Sequence, residues 1–149
     1  MAVAVRSIEC QARGWSLTAS AAGIEHRRRQ TAVLLQEWGA TQRAVEMARL
    51  GVSELLSNVV KHAVSRRCSL RVSRIGADAV VQVFDQSKDL PVIERPDWMA
   101  EGGRGLWLLR EMADGFGYMP KPYTSCSGLA LGKVVWFSCW GAFPSDGTA

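Results

Sequence analysis

Three short stretches of this chain carry residue types that could do chemistry. In Leu50-Gly-Val-Ser-Glu-Leu-Leu-Ser-Asn-Val-Val-Lys-His-Ala63, Glu54 and Asn58 stand four residues apart and Lys61 follows three later. On a helix that spacing sets a carboxylate, a carboxamide and an ammonium along one ridge. Such a ridge can hold a metal ion and activate a hydroxyl or a water, although a Glu and an Asn on the wet side of a helix are more often simply solvated. The second stretch is Gly102, Gly103 and Gly105 ahead of an apolar run. Glycines let a backbone come close to a ligand, and the free N–H groups at a helix start attract phosphate. They form neither a dinucleotide fingerprint, since no third glycine follows at the required offset, nor a Walker loop, since Gly132-Lys133 is followed by Val134 instead of a hydroxyl. An ordinary loop before a capped helix is the plainer explanation. The third candidate is Asp85, which ends an apolar run where a buried carboxylate needs a donor. The exocyclic amine of a nucleobase is one such donor; a solvated Asx turn is the plainer alternative.

The elements that must position these groups follow from hydrophobic periodicity. Residues 1–12 carry no clear period, and 14–18 read as a short strand or extended segment. Ser20 is placed to cap a first helix whose apolar face runs through Ile24, Ala32, Leu34, Leu35 and Trp38 until Gly39 stops it. Thr41 starts a second helix that extends to His62, with Val52, Leu55, Leu56, Val59, Val60 and Ala63 on one stripe. Leu70 and Val72 alternate with polar neighbours, 76–78 supply a turn, and the Val-rich 79–85 completes a hairpin. From Gln86 to Gly102 the chain is irregular, carries Pro91 and Pro96, and is longer than an ordinary connection, which predicts a mobile lid over 88–102. Leu106, Leu109, Ala113 and Phe116 then recur at helical spacing, with Gly115 or Gly117 as the stop. Pro120 and Pro122 bracket a predicted loop, and 133–140 form a last, aromatic strand. The order predicts an α+β fold: a two-layer α/β sandwich, a mixed sheet with helices on one face.

At 149 residues the expectation is one domain, 1–149, with 48% hydrophobic and 21% charged residues as in an ordinary globular protein. The N-terminal apolar run breaks at Arg6, and no later run approaches the ~20 residues of a membrane span. A cytoplasmic protein without membrane contact is expected. Cys10, Cys68, Cys126 and Cys139 form no C-x-x-C pair, so reduced structural thiols are the default. A net charge of +4 permits an acidic partner, but Arg27-Arg28-Arg29 reads as the wet face of a helix, and no nucleic-acid recognition motif accompanies it.

Taken in order, Glu54-x-x-x-Asn58, Asp85-x-Ser87, Gly103-x-Gly105-Leu106 and Gly132-Lys-Val-Val-Trp-Phe137 resemble the Bergerat-fold, histidine kinase-like ATPases, and within them the anti-sigma factor serine/threonine kinases. The resemblance spans about 15–140. It implies ATP and Mg2+ as cofactors. It further implies Asn58 as magnesium ligand, Glu54 as general base, and Asp85 with Ser87 at the adenine. Gly103 and Gly105 match the glycines that hinge the lid and meet the phosphates, Arg104 either approaches the γ-phosphate or equally faces a protein partner, and Lys61 and Leu106 fall to the nucleotide site. His62 is not the phosphoacceptor of histidine kinases, which lies on a separate domain in that superfamily; it is expected on the helix surface or just behind the residues of the site. Two departures stand out: Lys133 where many relatives carry Thr, and the bulky Trp107 beside the glycines. The implied function is an ATP-dependent switch that phosphorylates an anti-sigma antagonist and sequesters a sigma factor, with a homodimer compatible with that role. The alternative is a catalytically silent, nucleotide-sensing module that sequesters a protein partner.

Overall fold

The computed structural model describes residues 10–91, 93 and 105–144. The elements are β1 (Cys10–Thr18), α1 (Ala21–Glu37), α2 (Gln42–His62), β2 (Arg67–Ile75), β3 (Asp78–Asp85), α3 (Gly105–Met112), β4 (Gly115–Ser125) and β5 (Gly128–Cys139). Both long helices begin where their capping residues dictate. The Ser20 hydroxyl accepts from the Gly23 N–H at 3.0 Å, and Thr41 Oγ1 accepts from the Ala44 N–H at 3.2 Å, each satisfying a donor that the first turn leaves unpaired. Between the two helices Gly39 takes φ +86°, a left-handed conformation that turns the chain back at little steric cost.

The sheet order is β1-β2-β3-β5-β4, and every neighbouring pair is antiparallel. The expected α+β sandwich with helices on one face therefore stands, but among the described residues its sheet is antiparallel rather than mixed. The reason lies in the connections. β2–β3 and β4–β5 are hairpins, and β5 inserts between β3 and β4, so the parallel partners joined through α3 never touch.

Helix α2 is the element on which the rest is packed. Its buried residues Ala44, Val45, Ala48, Gly51, Val52, Leu55, Leu56 and Val59 form one stripe against β3 and β5, with α1 and α3 packed on its flanks. Burying a Val or Leu from water is worth roughly 1.5–3 kcal/mol each, so this stripe fixes the helix on the sheet. Opposite it stand Leu70 and Val72 of β2, Val81 and Val83 of β3, and Val135 and Phe137 of β5, all nearly fully buried. Gly51 sits where a Cβ would run into the Phe137 ring, so the helix approaches the sheet more closely here than any side chain allows.

Three local expectations need correction. The loop predicted around Pro120 and Pro122 is an edge strand, β4. Prolines are tolerated there because β4 is an edge strand with an unpaired outer side among the described residues, and, lying two residues apart, both put their missing N–H on the same side of the strand. Phe116 belongs to β4 and not to the preceding helix, which ends at Met112. The last strand starts at Gly128, five residues earlier than the aromatic run suggested, because its first half pairs with β4 outside the core. The predicted lid residues 92 and 94–102 lie outside the described residues. No helix among the described residues is long and apolar enough to cross a membrane.

Candidate functional site

Glu54 and Asn58 sit one turn apart at the edge of the α2 stripe, both half-buried, and Lys61 is exposed one turn on. They form one wall of a cleft of about 110 Å³, whose other wall is Gly105 and Leu106 at the head of α3. Gly105 has a specific duty. A Cβ at that position would collide with the Glu54 carboxylate, so only glycine lets the α3 N-terminus close on the acid. Partial burial pushes the Glu54 carboxyl above its ordinary value, and the Lys61 ammonium opposes that rise. A carboxyl with a raised pKa, held against a helix start, is poised to take a proton.

The cleft continues past Asn58 and His62 into a second compartment of about 270 Å³, walled by Ser87, Asp89, Leu90, Pro91 and Lys133. At its floor lies an ion pair. Lys133 Nζ stands 2.8 Å from Oδ2 and 3.0 Å from Oδ1 of Asp85, and the two side chains are 2% and 1% exposed. The Ser87 N–H donates to Asp85 Oδ1 at 2.8 Å, the Asx-type bond expected of an Asp at a strand end. Strand register brings the pair together, because Asp85 and Lys133 are direct cross-strand partners of β3 and β5. Gly132 allows this close approach, since a Cβ there would strike the Asp85 carbonyl oxygen and the Phe84 ring. On the other side Cys68 of β2 faces Asp85, and its thiol is pushed up to about 11 by burial first and by the Asp85 charge second.

Of the residues singled out from sequence, Glu54, Asn58, Lys61, Gly105 and Leu106 converge on the first compartment, and Ser87 lines the second. Asp85 lies behind Lys133 and not on the cleft wall. Gly103 and Arg104 lie outside the described residues. Sequence reasoning missed two participants. His62 lines both compartments, a position its spacing four residues after Asn58 could have revealed. Lys133 stood out only as a departure, and its partnership with Asp85 is a product of β-pairing across 48 positions that no local pattern discloses.

The smaller compartment offers one hard oxygen donor, the Asn58 amide, and among the described residues no three His, Cys, Asp or Glu side chains cluster; a magnesium ion, which keeps most of its ligands as water, would fit such a sparse donor set. Asp85, which the resemblance assigns to the adenine, is buried against Lys133 and does not open onto the larger compartment. A separate, larger groove of about 580 Å³ crosses the ends of β1, β2 and β3 between Ser16, Thr18, Arg67, Ser69, Phe84 and Gln86, and holds no acid–base pair.

The family model for the histidine kinase-like ATPase domain matches residues 17–135, well over half of the chain. Among solved structures, the crystal structure of the RsbU and RsbW domains of Rv1364c from Mycobacterium tuberculosis is similar, with a TM-score of 0.59 and 19% sequence identity. The match covers 91% of this chain and 34% of that one, so this chain spans about a third of its length, and the likeness is one of fold. No curated protein matches.

Proposed function

The chain belongs to the histidine kinase-like ATPase domain family, and from that premise we propose that it is an ATP-binding regulatory protein that works by partner switching. In this reading it is an anti-sigma factor that sequesters a sigma factor and, as a serine/threonine kinase, phosphorylates an anti-sigma antagonist. The observation that carries it is the convergence of Glu54 and Asn58 with the glycine-opened head of α3 on one cleft. The RsbW domain in the similar structure supports the same direction by fold.

In this mechanism Asn58 offers its amide oxygen to the metal-binding end, and Lys61 adds positive charge one turn away. Bound magnesium supplies charge neutralisation at the phosphate oxygens. The backbone N–H groups at the start of α3 face the same space, where a helix N-terminus favours an anion. Glu54 takes the proton of the attacking Ser hydroxyl as its oxygen bonds to the γ-phosphorus; the bond to the β-phosphate oxygen breaks and ADP leaves. The decisive experiment incubates the protein with labelled Mg-ATP and a candidate antagonist of the anti-sigma antagonist type and looks for phosphoserine or phosphothreonine by mass spectrometry. Label on the antagonist is the expected result. Binding of the antagonist with no transferred phosphate rejects the kinase.

One observation favours the alternative, a silent module that senses nucleotide and sequesters its partner: Lys133 neutralises the carboxylate at the base end. The two readings part at Glu54→Gln. In the kinase this variant keeps ATP and partner binding while losing about 10²–10⁴ in transfer rate, or roughly 3–5 kcal/mol of transition-state stabilisation. In the silent module it leaves ATP and partner binding as they are, with no transfer to lose.

A further inference from the structure

A carboxylate that reads a base must have a lone pair facing that base, and Asp85 does not. Its Oδ1 accepts from both the Ser87 N–H and the Lys133 ammonium, and its Oδ2 is ion-paired with the same ammonium at 2.8 Å. The side chain is 1% exposed, and the cleft wall is formed by Lys133 and Ser87 in front of it. Resting on the nucleotide-binding reading above, we propose that Lys133 is a specificity-determining residue that fills the donor position at Asp85. The chain then holds nucleoside triphosphates by their phosphate end, with little selection for adenine.

The energetics favour the ammonium over an incoming amine. A hydrogen bond from a cation to a carboxylate is stronger than one from a neutral N–H, and displacing Lys133 would leave a charge buried and unpaired. An adenine amine therefore does not evict it. With the pair intact, the 6-amino group meets an ammonium, donor against donor, whereas a 6-oxo purine in the same pose brings an acceptor. Adenine can turn N1 toward Lys133, but its amine then lacks the carboxylate that rewards it, because one Asp85 oxygen is saturated and the whole group is screened. The advantage that an open carboxylate gives adenine over hypoxanthine is cancelled. A short hydroxyl side chain at 133 would return that carboxylate to the cleft.

The test is calorimetric titration of the full chain with Mg-ATP and with Mg-ITP, which differ at the 6-position and its N1 protonation, for wild type and Lys133→Thr. Wild type should bind the two within about threefold of each other, and K133T should tighten ATP roughly tenfold or more relative to ITP, the scale of a charge-assisted hydrogen bond regained. Nucleotide binding that appears only in K133T supports the same conclusion. A wild-type preference for ATP beyond about threefold overturns it, as does a folded K133T whose ATP-to-ITP ratio is unchanged; both results leave the nucleotide-binding reading standing. If K133T does not fold, the wild-type ratio alone decides. Absence of binding for both nucleotides in wild type and folded K133T sinks the nucleotide-binding reading and this inference with it.

Discussion

Glu54 is the residue whose chemistry and stability pull in opposite directions. Its carboxyl is raised from 4.5 by desolvation, with Lys61 opposing, so folding favours the protonated form. The stabilisation this represents is complete below the unfolded pKa and disappears as pH rises through the higher folded value, which means that at neutral pH the ionised acid costs stability. Glu54→Gln should therefore raise the melting temperature at pH 7 and show no such gain near pH 3.5, as thermal unfolding at the two pH values will show. In the kinase reading transfer needs the ionised form, so its acid limb should fall above the ordinary carboxylate range in wild type and vanish in the variant. Asn58→Ala, by contrast, should leave stability nearly untouched while removing the magnesium dependence of ATP binding; calorimetry with and without the metal checks this. Asp85→Asn is a stability probe as well as a binding probe. It strands the Lys133 ammonium without its carboxylate, and breaking a buried pair in this way costs about 3–5 kcal/mol, measurable by urea unfolding.

At the scale of elements, the seat of α2 on β5 is set by one missing side chain. Gly51→Ala pushes a methyl into the Phe137 ring, and overpacking of this kind costs about 1–3 kcal/mol in denaturant unfolding. The same shift moves Glu54 and Asn58, one and two turns on, away from α3, so nucleotide affinity should fall with stability. The sequence made this helix legible because its stripe, its Thr41 cap and its end at His62 are all local signals. The Ser20 cap and the hairpin turn at Gly76 were legible for the same reason. β4 was not, because Pro120 and Pro122 argue against a strand unless one knows that it lies at an edge, and edge position is a property of the finished sheet. The candidate site divides along the same line. Glu54 and Asn58 follow from helical spacing, and Gly105 from its place at a helix start. The pairing of Lys133 with Asp85 depends on which strand lies beside β3, and that is decided only when β5 inserts between β3 and β4.

For the whole molecule, the two edges of the sheet are chemically unlike. β1 runs nine residues without a proline and with Arg13 as its single charge, whereas β4 carries Pro120, Lys121 and Pro122 along its middle. Among the described residues no strand lies outside β1, whereas the outer side of β4 is capped much as a terminator caps a growing polymer. Chains that meet through their edges can therefore join β1 to β1 about a twofold axis and then stop, since both ends of the resulting ten-stranded sheet would be prolines. Any edge-to-edge addition through β1 would be limited to two copies by these prolines, and replacing Pro120 and Pro122 with Thr should then let light scattering detect assemblies larger than a dimer at high concentration.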